Sequence, residues 1–357
     1  MTRVLIIDDS RVVCDVLEAA LALQPDIEVV GTAADAYAAR DLIVQLRPDV
    51  VTLDLQMPGM DGITFLRKLM HYHPVPVVVV SSHTHHDGAL TMAALALGAI
   101  DVVGKPTAGR SLADIVPDLA HRLRIAARVD MTGQLAQAPA TPTSPRPASL
   151  SRSSGRTSQI LAIGASTGGT AALESILTGM PHDLPGTVVV QHMPALFTAA
   201  FASRLAMITG LNVTEARNGD AVEQGAVLVS PGDVHTVLRR DGARYFVELR
   251  SGPRVSGHRP SVDVMFRSVA RAAGKNAIGV ILTGMGKDGS KGLLHMKQAG
   301  AATVAQDEAS CTVYGMPRAA VEAGAVDHVV SLANIPKHII KLVDMGTKHR
   351  PTTSRKK

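Results

Sequence analysis

The chain begins MTRVLIIDDS over residues 1–10, where the apolar run Val4–Ile7 ends in Asp8 and Asp9. A short run of consecutive apolar residues is typical of a strand covered on both faces. Similar runs, separated by amphipathic stretches of helical periodicity, recur up to about residue 128. The five predicted strands are Val4–Ile7, Ile27–Val30, Val50–Leu53, Val75–Val80 and Ile100–Val103. Alternating strands and helices predict a doubly wound parallel sheet and an α/β fold.

The same alternation resumes near residue 158. Further strands are predicted at Ile160–Ile163, Val188–Gln191, Val227–Val229, Ile278–Leu282 and Ala302–Ala305. Residues 212–252 look richer in β-structure, with turn signals at Asn218-Gly219 and Asp241-Gly242. We therefore expect a second α/β domain with a Rossmann-like sheet, after a flavodoxin-like first domain.

The segment 134–158, QLAQAPATPTSPRPASLSRSSGRTS, contains almost no large apolar side chain. Such a composition cannot repay the entropy of being ordered, so it predicts a flexible linker between the domains. The predicted organisation is a first domain over 1–125, a linker over 126–157, a second domain over 158–345 and a basic tail over 346–357.

Composition excludes several classes of protein. Of 357 residues, 46% are apolar and 19% are charged, which is typical of globular domains. Two cysteines cannot stabilise a chain of this length through disulfide bonds. No apolar run approaches the ~20 residues that span a bilayer. We therefore expect a cytoplasmic protein without membrane insertion. The positive net charge of +5 comes from the linker and tail, and aromatic residues make up 3%, so nucleic acid is not an expected partner.

Polar side chains follow several strands of the first predicted sheet, at the carboxyl ends where function gathers. Three carboxylates that converge there repel each other unless a cation lies among them, and oxygen ligands suit Mg²⁺. A lysine and a hydroxyl nearby would bind a phosphoryl group carried by one carboxylate. A capping role explains Asp9 but not the whole set. The set comprises Asp8, Asp9, Asp54, Ser81 and Lys105.

Four motifs resemble the receiver domain of bacterial response regulators, namely IIDDS at 6–10, LDLQMPGMDG at 53–62, VSS at 80–82 and GKP at 104–106. The resemblance covers about residues 1–125. It implies that Asp54 is the phosphoacceptor and that Asp9, Asp54 and the Gln56 carbonyl hold Mg²⁺, with Asp8 acting through water. It also implies that Ser81 and Lys105 sense the phosphoryl group.

In the second domain, IGASTGG places Ser166 in the G-x-S-x-G spacing at a predicted strand-to-helix turn. Such a turn exposes a serine hydroxyl, and the following helix directs amide groups towards a developing oxyanion. By itself the motif fits a phosphate-binding turn equally well. His192 directly follows the next strand, and Asp288 lies in a glycine-rich loop after another.

A serine, a histidine and an aspartate at one edge of one sheet are what nucleophilic hydrolysis requires. Their order along the chain is Ser166, His192, Asp288, whereas α/β-hydrolases run serine, acid, histidine. This order argues against an ordinary lipase-like enzyme. A capping role for Asp288 and a loop position for His192 remain the plain alternatives. Cys311 has no histidine in its pattern, so an inert thiol is expected.

The motifs GASTGG, VVQHMP and LTGMGKDG together resemble the chemotaxis protein-glutamate methylesterases, and SPGDVH at 230–235 and YGMP at 314–317 extend the likeness. This resemblance runs from about residue 158 to 345. It implies that Ser166 is the nucleophile, His192 the base and Asp288 the orienting acid. It also implies that the Met285 amide is the oxyanion donor, with no cofactor for hydrolysis.

The resemblance further implies hydrolysis of glutamate γ-methyl esters on the cytoplasmic helices of chemoreceptors, and often deamidation of receptor glutamines. This reaction is the adaptation step of chemotaxis signalling. A chemotaxis histidine kinase is the expected phosphodonor. We expect the unphosphorylated receiver to inhibit the enzyme and phosphorylation to relieve that inhibition, the alternative being activation by the phosphorylated receiver.

Two other classes of protein are alternatives to an enzyme. A transcriptional regulator would need a helix-turn-helix output module, which residues 159–340 do not resemble. A catalytically inactive scaffold would be free to lose a triad residue, but all three are present.

Overall fold

The computed structural model describes residues 1–81, 85–106, 111–129, 131 and 157–348. The chain divides into two compact units, with a five-stranded sheet in one and a seven-stranded sheet in the other. The predicted linker over 126–157 and the basic tail over 346–357 fall mostly outside the described residues. Within the described part, every helix is too short or too polar to cross a bilayer.

The first unit is built on a parallel sheet in the order β2-β1-β3-β4-β5, which confirms the predicted flavodoxin-like fold. The strands are covered on both faces, and the side chains of β3 and β4 are completely buried. This burial explains why their sequences are apolar except for Thr52 and Ser81. The strands are β1 (Thr2–Ile7), β2 (Ile27–Ala33), β3 (Val50–Leu53), β4 (Val77–Ser81) and β5 (Asp101–Gly104).

Helices connect these strands, and local capping explains where two of them begin. Asp35 accepts hydrogen bonds from the amides of Tyr37 and Ala38, and Asp61 accepts one from the Thr64 amide. The helices are α1 (Arg11–Leu21), α2 (Ala36–Leu46), α3 (Gly62–Tyr72), α4 (His85–Ala96) and α5 (Val116–Ala126), and a 3₁₀ turn (Leu112–Ile115) precedes the last.

The second unit contains a parallel sheet in the order β14-β13-β12-β6-β7-β9-β8 and a separate antiparallel hairpin, β10-β11. The predicted Rossmann-like α/β class is confirmed. The strands are β6 (Ile160–Ala165), β7 (Gly186–Gln191), β8 (Asn212–Glu215), β9 (Ala226–Val229), β10 (His235–Asp241), β11 (Arg244–Arg250), β12 (Ala277–Ile281), β13 (Ala302–Gln306) and β14 (His328–Val330).

Six helices follow β6 in the described part of the chain, and one of them organises the core of the second unit. Its buried face, including Phe266 and Val269, packs in one apolar cluster with residues of the sheet and the hairpin. The helices are α6 (Gly169–Thr178), α7 (Ala195–Thr209), α8 (Val262–Ala273), α9 (Ser290–Gln298), α10 (Met316–Glu322) and α11 (Ile335–Lys348). The organising helix is α8.

The two predicted turns in residues 212–252 have different roles. Asp241-Gly242 joins β10 to β11, as a hairpin turn should. Asn218-Gly219 lies between β8 and β9, which run parallel and therefore cannot be joined by a tight hairpin. The Asn218 side chain instead accepts a hydrogen bond from the Leu249 amide, so this turn attaches the connection to the hairpin.

Candidate functional site

The acidic residues of the first unit meet where the order of its strands reverses. Strands β1 and β3 are neighbours, and the connections that leave them run to opposite sides of the sheet. Asp8 and Asp9 follow β1 and Asp54 follows β3. Each offers a carboxylate oxygen, and these oxygens lie within 4.8 Å of one another. Asp8 and Asp54 are buried, whereas Asp9 is exposed, so the cluster opens to solvent on one side.

Lys105 links two of these carboxylates. Its Nζ lies 2.7 Å from Asp8 Oδ2 and 2.6 Å from Asp54 Oδ2. Burial would lower the pKa of the Lys105 ammonium, but its hydrogen bonds to Asp54 and Asp8 raise the pKa above the ordinary value. Burial also raises the pKa of Asp8, although the Lys105 contact opposes this. Lys105 therefore stays positively charged and balances part of the negative charge of the cluster.

Ser81 and Gln56 complete the predicted set. Ser81 is buried at the end of β4, and its carbonyl accepts a hydrogen bond of 2.7 Å from the Lys105 amide. The Gln56 amide donates to Asp54 Oδ1 at 3.1 Å, which places this residue directly beside the carboxylate. All residues predicted for the phosphoryl site thus gather at one edge of the sheet. Three converging carboxylates form an oxygen-only donor set, which fits a divalent cation such as Mg²⁺.

The candidate nucleophile of the second unit also lies at a point where strand order reverses. Strand β6 pairs with β12 on one side and with β7 on the other. Ser166 directly follows β6, and its amide donates to the Thr283 carbonyl at 3.0 Å. The next turn requires Gly168, because its φ is +76° and a Cβ there would lie 2.4 Å from Thr312 Oγ1.

His192 and Asp288 form a direct contact, with 2.9 Å between His192 Nε2 and Asp288 Oδ2. Ser166 and His192 are the residues that follow the register pair Ala165 and Gln191, so they leave adjacent strands side by side. Burial would raise the pKa of Asp288, but hydrogen bonds from His192 and Ser261 hold it below the ordinary value. The ionised carboxylate accepts, so Nε2 carries the proton.

With its proton on Nε2, the His192 ring has its free lone pair on Nδ1. This atom is buried and has no hydrogen-bond partner among the described residues. An unpartnered, buried lone pair beside a serine is suited to accept a proton from that serine. The strand register supplies the neighbouring serine, Ser166.

Asp288 is held by the beginning of α8. The Ser261 hydroxyl and the Asp263 amide donate to Asp288 Oδ1 at 2.8 and 3.1 Å, and the Val262 amide donates to Oδ2 at 2.8 Å. The positive end of the helix dipole and these donors stabilise the ionised acid. Sequence reasoning did not identify Ser261. A serine just before an amphipathic run was a capping signal, but nothing in the sequence linked it to Asp288.

The predicted oxyanion donor lies next to the nucleophile. A Cβ at Gly284 would lie 2.6 Å from the Ser166 Cβ, so the backbone before Met285 touches the serine. Within the described residues the Met285 amide donates no hydrogen bond, whereas the Gly284 amide donates one to the Val313 carbonyl. An amide without a partner beside the candidate nucleophile is able to donate to a developing oxyanion.

Two further side chains contact the site without having been predicted. The His258 ring stacks on the His192 ring, with 3.7 Å between centroids and 7° between planes. Gln191 donates from Nε2 to the Ser166 carbonyl at 2.8 Å. The sequence places His258 66 residues after His192, so only the tertiary structure reveals the stack. Both contacts restrict the movement of the residues that would react.

Cys311 has the properties of an inert thiol, as the sequence suggested. Burial, together with the nearby charges of Asp307 and Glu308, raises the pKa of its thiol to about 12. The nucleophilic thiolate is therefore nearly absent at neutral pH.

Comparisons with known proteins match both units to characterised families. Residues 161–339 match the family described as CheB methylesterase, and residues 4–117 match the response regulator receiver domain. The chain is 57% identical to protein-glutamate methylesterase/protein-glutamine glutaminase 4 of Anaeromyxobacter dehalogenans, over 95% of this chain and 94% of that protein. A protein of the same name, numbered 2, from Syntrophus aciditrophicus is 50% identical over 96% of this chain and 99% of its own.

A solved structure is similar to the second unit. The crystal structure of the Thermotoga maritima CheB methylesterase catalytic domain superposes with a TM-score of 0.51 at 39% sequence identity. It covers 52% of this chain and 100% of the other. The likeness therefore extends from the motifs to the fold that carries them.

Proposed function

The chain belongs to the CheB methylesterase family and carries a response regulator receiver domain, and from this premise we propose its reaction and the residues that perform it. It is a phosphorylation-regulated protein-glutamate methylesterase that removes methyl groups from glutamate γ-methyl esters of chemoreceptors, with release of methanol. It also deamidates glutamines as a protein-glutamine glutaminase. We assign phosphorylation to residues 1–125 and catalysis to residues 158–345.

Ser166 acts as the nucleophile. Its Oγ attacks the γ-carbonyl carbon of the glutamyl ester while its proton moves to His192 Nδ1. The Met285 amide donates to the oxyanion of the tetrahedral intermediate. The intermediate collapses to an acyl-enzyme, and the His192 proton leaves with methanol, or with ammonia when the substrate is glutamine. Water then attacks the acyl-enzyme with His192 as base, which restores Ser166 and leaves a glutamate.

The observation that carries this assignment is the orientation of the His192 ring. Asp288 accepts the hydrogen bond from Nε2, and Nδ1 is left as a buried acceptor, without a partner in the described part of the chain, at the strand end next to Ser166. Because ester hydrolysis and amide hydrolysis pass through the same acyl-enzyme, one site serves both activities. This hydrolysis needs no cofactor.

In the receiver, Asp54 accepts the phosphoryl group. Asp8, Asp9, Asp54 and the Gln56 carbonyl would hold Mg²⁺, with Asp8 acting through water. When bound, the cation would neutralise negative charge on the phosphoryl oxygens. Lys105 is positioned to contact those oxygens, because its Nζ already lies 2.6 Å from Asp54 Oδ2. The Ser81 hydroxyl at the end of the neighbouring strand is the second group that senses phosphorylation.

The partners follow from these two activities. The substrate is the methylated helical part of a chemoreceptor, which lies in the cytoplasm, and the phosphodonor is a chemotaxis histidine kinase. We accordingly place the protein in the cytoplasm, without direct insertion into the membrane and without a nucleic-acid partner.

Methanol release tests this function. We expect the intact protein to release methanol from receptors methylated by the cognate methyltransferase, and to release it faster after phosphorylation. A parallel reaction on receptors with glutamines at the modified positions, followed by mass spectrometry, measures deamidation. Absence of methanol release from methylated receptors by the phosphorylated, correctly folded protein would contradict the proposed function.

The direction of regulation is tested by deletion. A receiver attached through a linker of about 25 residues is present at high effective concentration near the catalytic domain, so a weak inhibitory contact is sufficient. Phosphorylation of Asp54 then shifts the receiver between two states, of which one inhibits. Deleting residues 1–140 should therefore give a fragment that releases methanol faster than the unphosphorylated intact protein. A slower fragment would instead show that the receiver activates the enzyme.

A further inference from the structure

A cleft of ≈ 660 Å³ lies in the second unit, between the β10-β11 hairpin with its following loop and one face of α8. Its volume is within the range of ordinary ligand sites. The lining is unusual in charge. Five arginines contribute to it, and no aspartate or glutamate lines it within the described chain. These arginines are Arg239, Arg240, Arg250, Arg267 and Arg271.

The positive charge of the cleft is only partly neutralised. Glu248 pairs with Arg250 at 2.7 Å and with Arg239 at 2.6 Å, and these hydrogen bonds lower the pKa of Glu248. Asp263 lies 3.5 Å from Arg267. Across the described residues, Arg271 forms no ion pair, and the buried Arg267 Nε has no hydrogen-bond partner. Two carboxylates therefore neutralise part of the charge of five guanidinium groups.

The cleft is connected to the catalytic residues by two short routes. His235 lines the cleft, and its Nδ1 accepts a hydrogen bond from the Ser261 amide at 3.2 Å. The Ser261 hydroxyl in turn donates to Asp288. On the other route, Val255 lines the cleft and pairs with His258, whose ring stacks on His192. The cleft thus shares α8 with the site, with Asp288 held at the first turn of this helix and Arg267 and Arg271 lying further along it.

The reacting group cannot be the ligand of these arginines. A glutamyl methyl ester and a glutamine side chain are both neutral, so neither explains a surplus of guanidinium groups nearby. Carboxylates on the same polypeptide segment explain the surplus of guanidinium groups, because glutamates that carry no methyl group are acidic. Guanidinium binds a carboxylate through two parallel hydrogen bonds.

The spacing of two arginines suits a row of carboxylates. Arg267 and Arg271 are four residues apart on α8 and therefore point from one face, about 6 Å apart. Glutamates one helical turn apart on a substrate helix have the same spacing. Arg239 and Arg250 leave one face of the hairpin and Arg240 leaves the other, because neighbouring residues of a strand alternate. All three contribute to the cleft opposite α8, so positive charge is present on both of its sides.

We propose that this arginine cleft binds unesterified glutamates of the receptor segment, next to the ester or amide that enters the active site. The inference rests on the proposed function and adds to it a determinant of substrate recognition. Binding of carboxylates in the cleft positions the substrate helix and leaves the chemistry to Ser166, His192 and Asp288. Affinity should consequently depend on ionic strength, because the contacts join exposed charges.

Direct binding to the full-length protein tests the proposal. The probe is an alanine-rich helical peptide with three free glutamates spaced four residues apart, which the enzyme cannot hydrolyse. We expect Arg267→Gln/Arg271→Gln to weaken binding roughly tenfold at low ionic strength and to abolish most of its salt dependence. Arg244→Gln, an exposed arginine of the same hairpin outside the cleft, is the matched control and should bind as the native protein does.

A charge exchange keeps the test independent of folding. Arg267→Glu/Arg271→Glu should bind a peptide with lysines at the three glutamate positions more tightly than the native protein binds it. An unfolded variant cannot produce this gain. Equal affinities of native protein and both double variants for the glutamate peptide would overturn the proposal. The proposal would also be overturned if the double variants lost binding to vesicles of anionic phospholipid while their binding to the glutamate peptide was undiminished. The cleft would then be a membrane-binding surface.

Kinetics separate this proposal from the proposed function. If the native protein releases methanol from methylated receptors and Arg267→Gln/Arg271→Gln raises the KM for them, both proposals stand. An unchanged KM with normal methanol release contradicts the cleft alone. Absence of methanol release by the native protein contradicts the function itself, whatever the peptide binds.

Discussion

Ser166→Ala is expected to reduce methanol release from methylated receptors by about 10⁴-fold or more. The substitution removes the oxygen that forms the acyl-enzyme, and Cys311 cannot replace it because burial raises the pKa of that thiol to about 12. Ser166 is followed by a turn that Gly168 and the Thr283 contact define through the backbone, so the fold should be unaffected. The measurement is methanol release at saturating receptor, with the thermal unfolding midpoint as a check on folding.

Ser203→Ala provides the matched control, because Ser203 is an exposed serine on α7 and should leave turnover unchanged. His192→Ala should be about as damaging as Ser166→Ala, and Asp288→Asn somewhat less, because the three residues act as a unit and their effects do not add. Turnover close to that of the native protein in Ser166→Ala would remove the serine from the mechanism.

The positions of the candidate site residues were predictable because the sheets place them. Parallel strands bring their carboxyl ends to one edge, so a residue that follows an apolar run can be assigned to that edge from the sequence alone. This reasoning identified Asp54 after β3 and His192 after β7. The assignment was possible because both strands are fully buried, so three of the four residues of β3 are apolar and β7 contains the apolar run 188–190.

The supporting contacts were not predictable in the same way. Ser261 and His258 lie in the segment that leads into α8, far along the chain from the strands whose ends they contact. Their positions depend on how the hairpin and α8 pack, which no local pattern encodes. The choice of Nε2 for the contact with Asp288 likewise depends on ring orientation.

Some elements were missed because their sequence signal is weak. Strands β8 and β14 lie at the two edges of the sheet, contain four and three residues, and are partly exposed. They therefore lack the buried apolar run that revealed the central strands. The predicted turn at Asn218-Gly219 is present, but it joins two parallel strands and not the strands of a hairpin.

Both candidate sites occupy the same position in their sheets but contain different chemical groups. In each, the candidate reactive residue follows a strand at the point where strand order reverses, which opens a crevice between two connections. The crevice of the first sheet gathers carboxylates and a lysine, and that of the second gathers a serine, a histidine and an amide. The composition of the loops, rather than the architecture of the sheet, distinguishes a phosphoryl acceptor from an esterase.

Asp54→Asn is expected to abolish phosphorylation of the protein. Acetyl phosphate with Mg²⁺ should label the native chain, as an Asp54 carboxylate oxygen attacks phosphorus and acetate leaves. The product is an acyl phosphate, which is stable in acid and labile in base. An amide is a far poorer nucleophile than a carboxylate, and the change also removes one of the three carboxylates that converge within 4.8 Å. The measurement is incorporation of labelled phosphate, with the site located by mass spectrometry.

Two controls test whether labelling depends specifically on Asp54 and on Mg²⁺. Asp15→Asn changes an exposed aspartate that pairs with Arg11 on α1, away from the cluster, and should be labelled like the native chain. Chelation of Mg²⁺ before the donor is added should prevent labelling of the native chain, because the phosphoryl charge then faces uncompensated carboxylates. Label that persists in Asp54→Asn, or that is found on a serine or histidine, would contradict the receiver assignment. The loss of methanol-release stimulation by acetyl phosphate in Asp54→Asn, with basal release retained, would link this carboxylate to the control of Ser166.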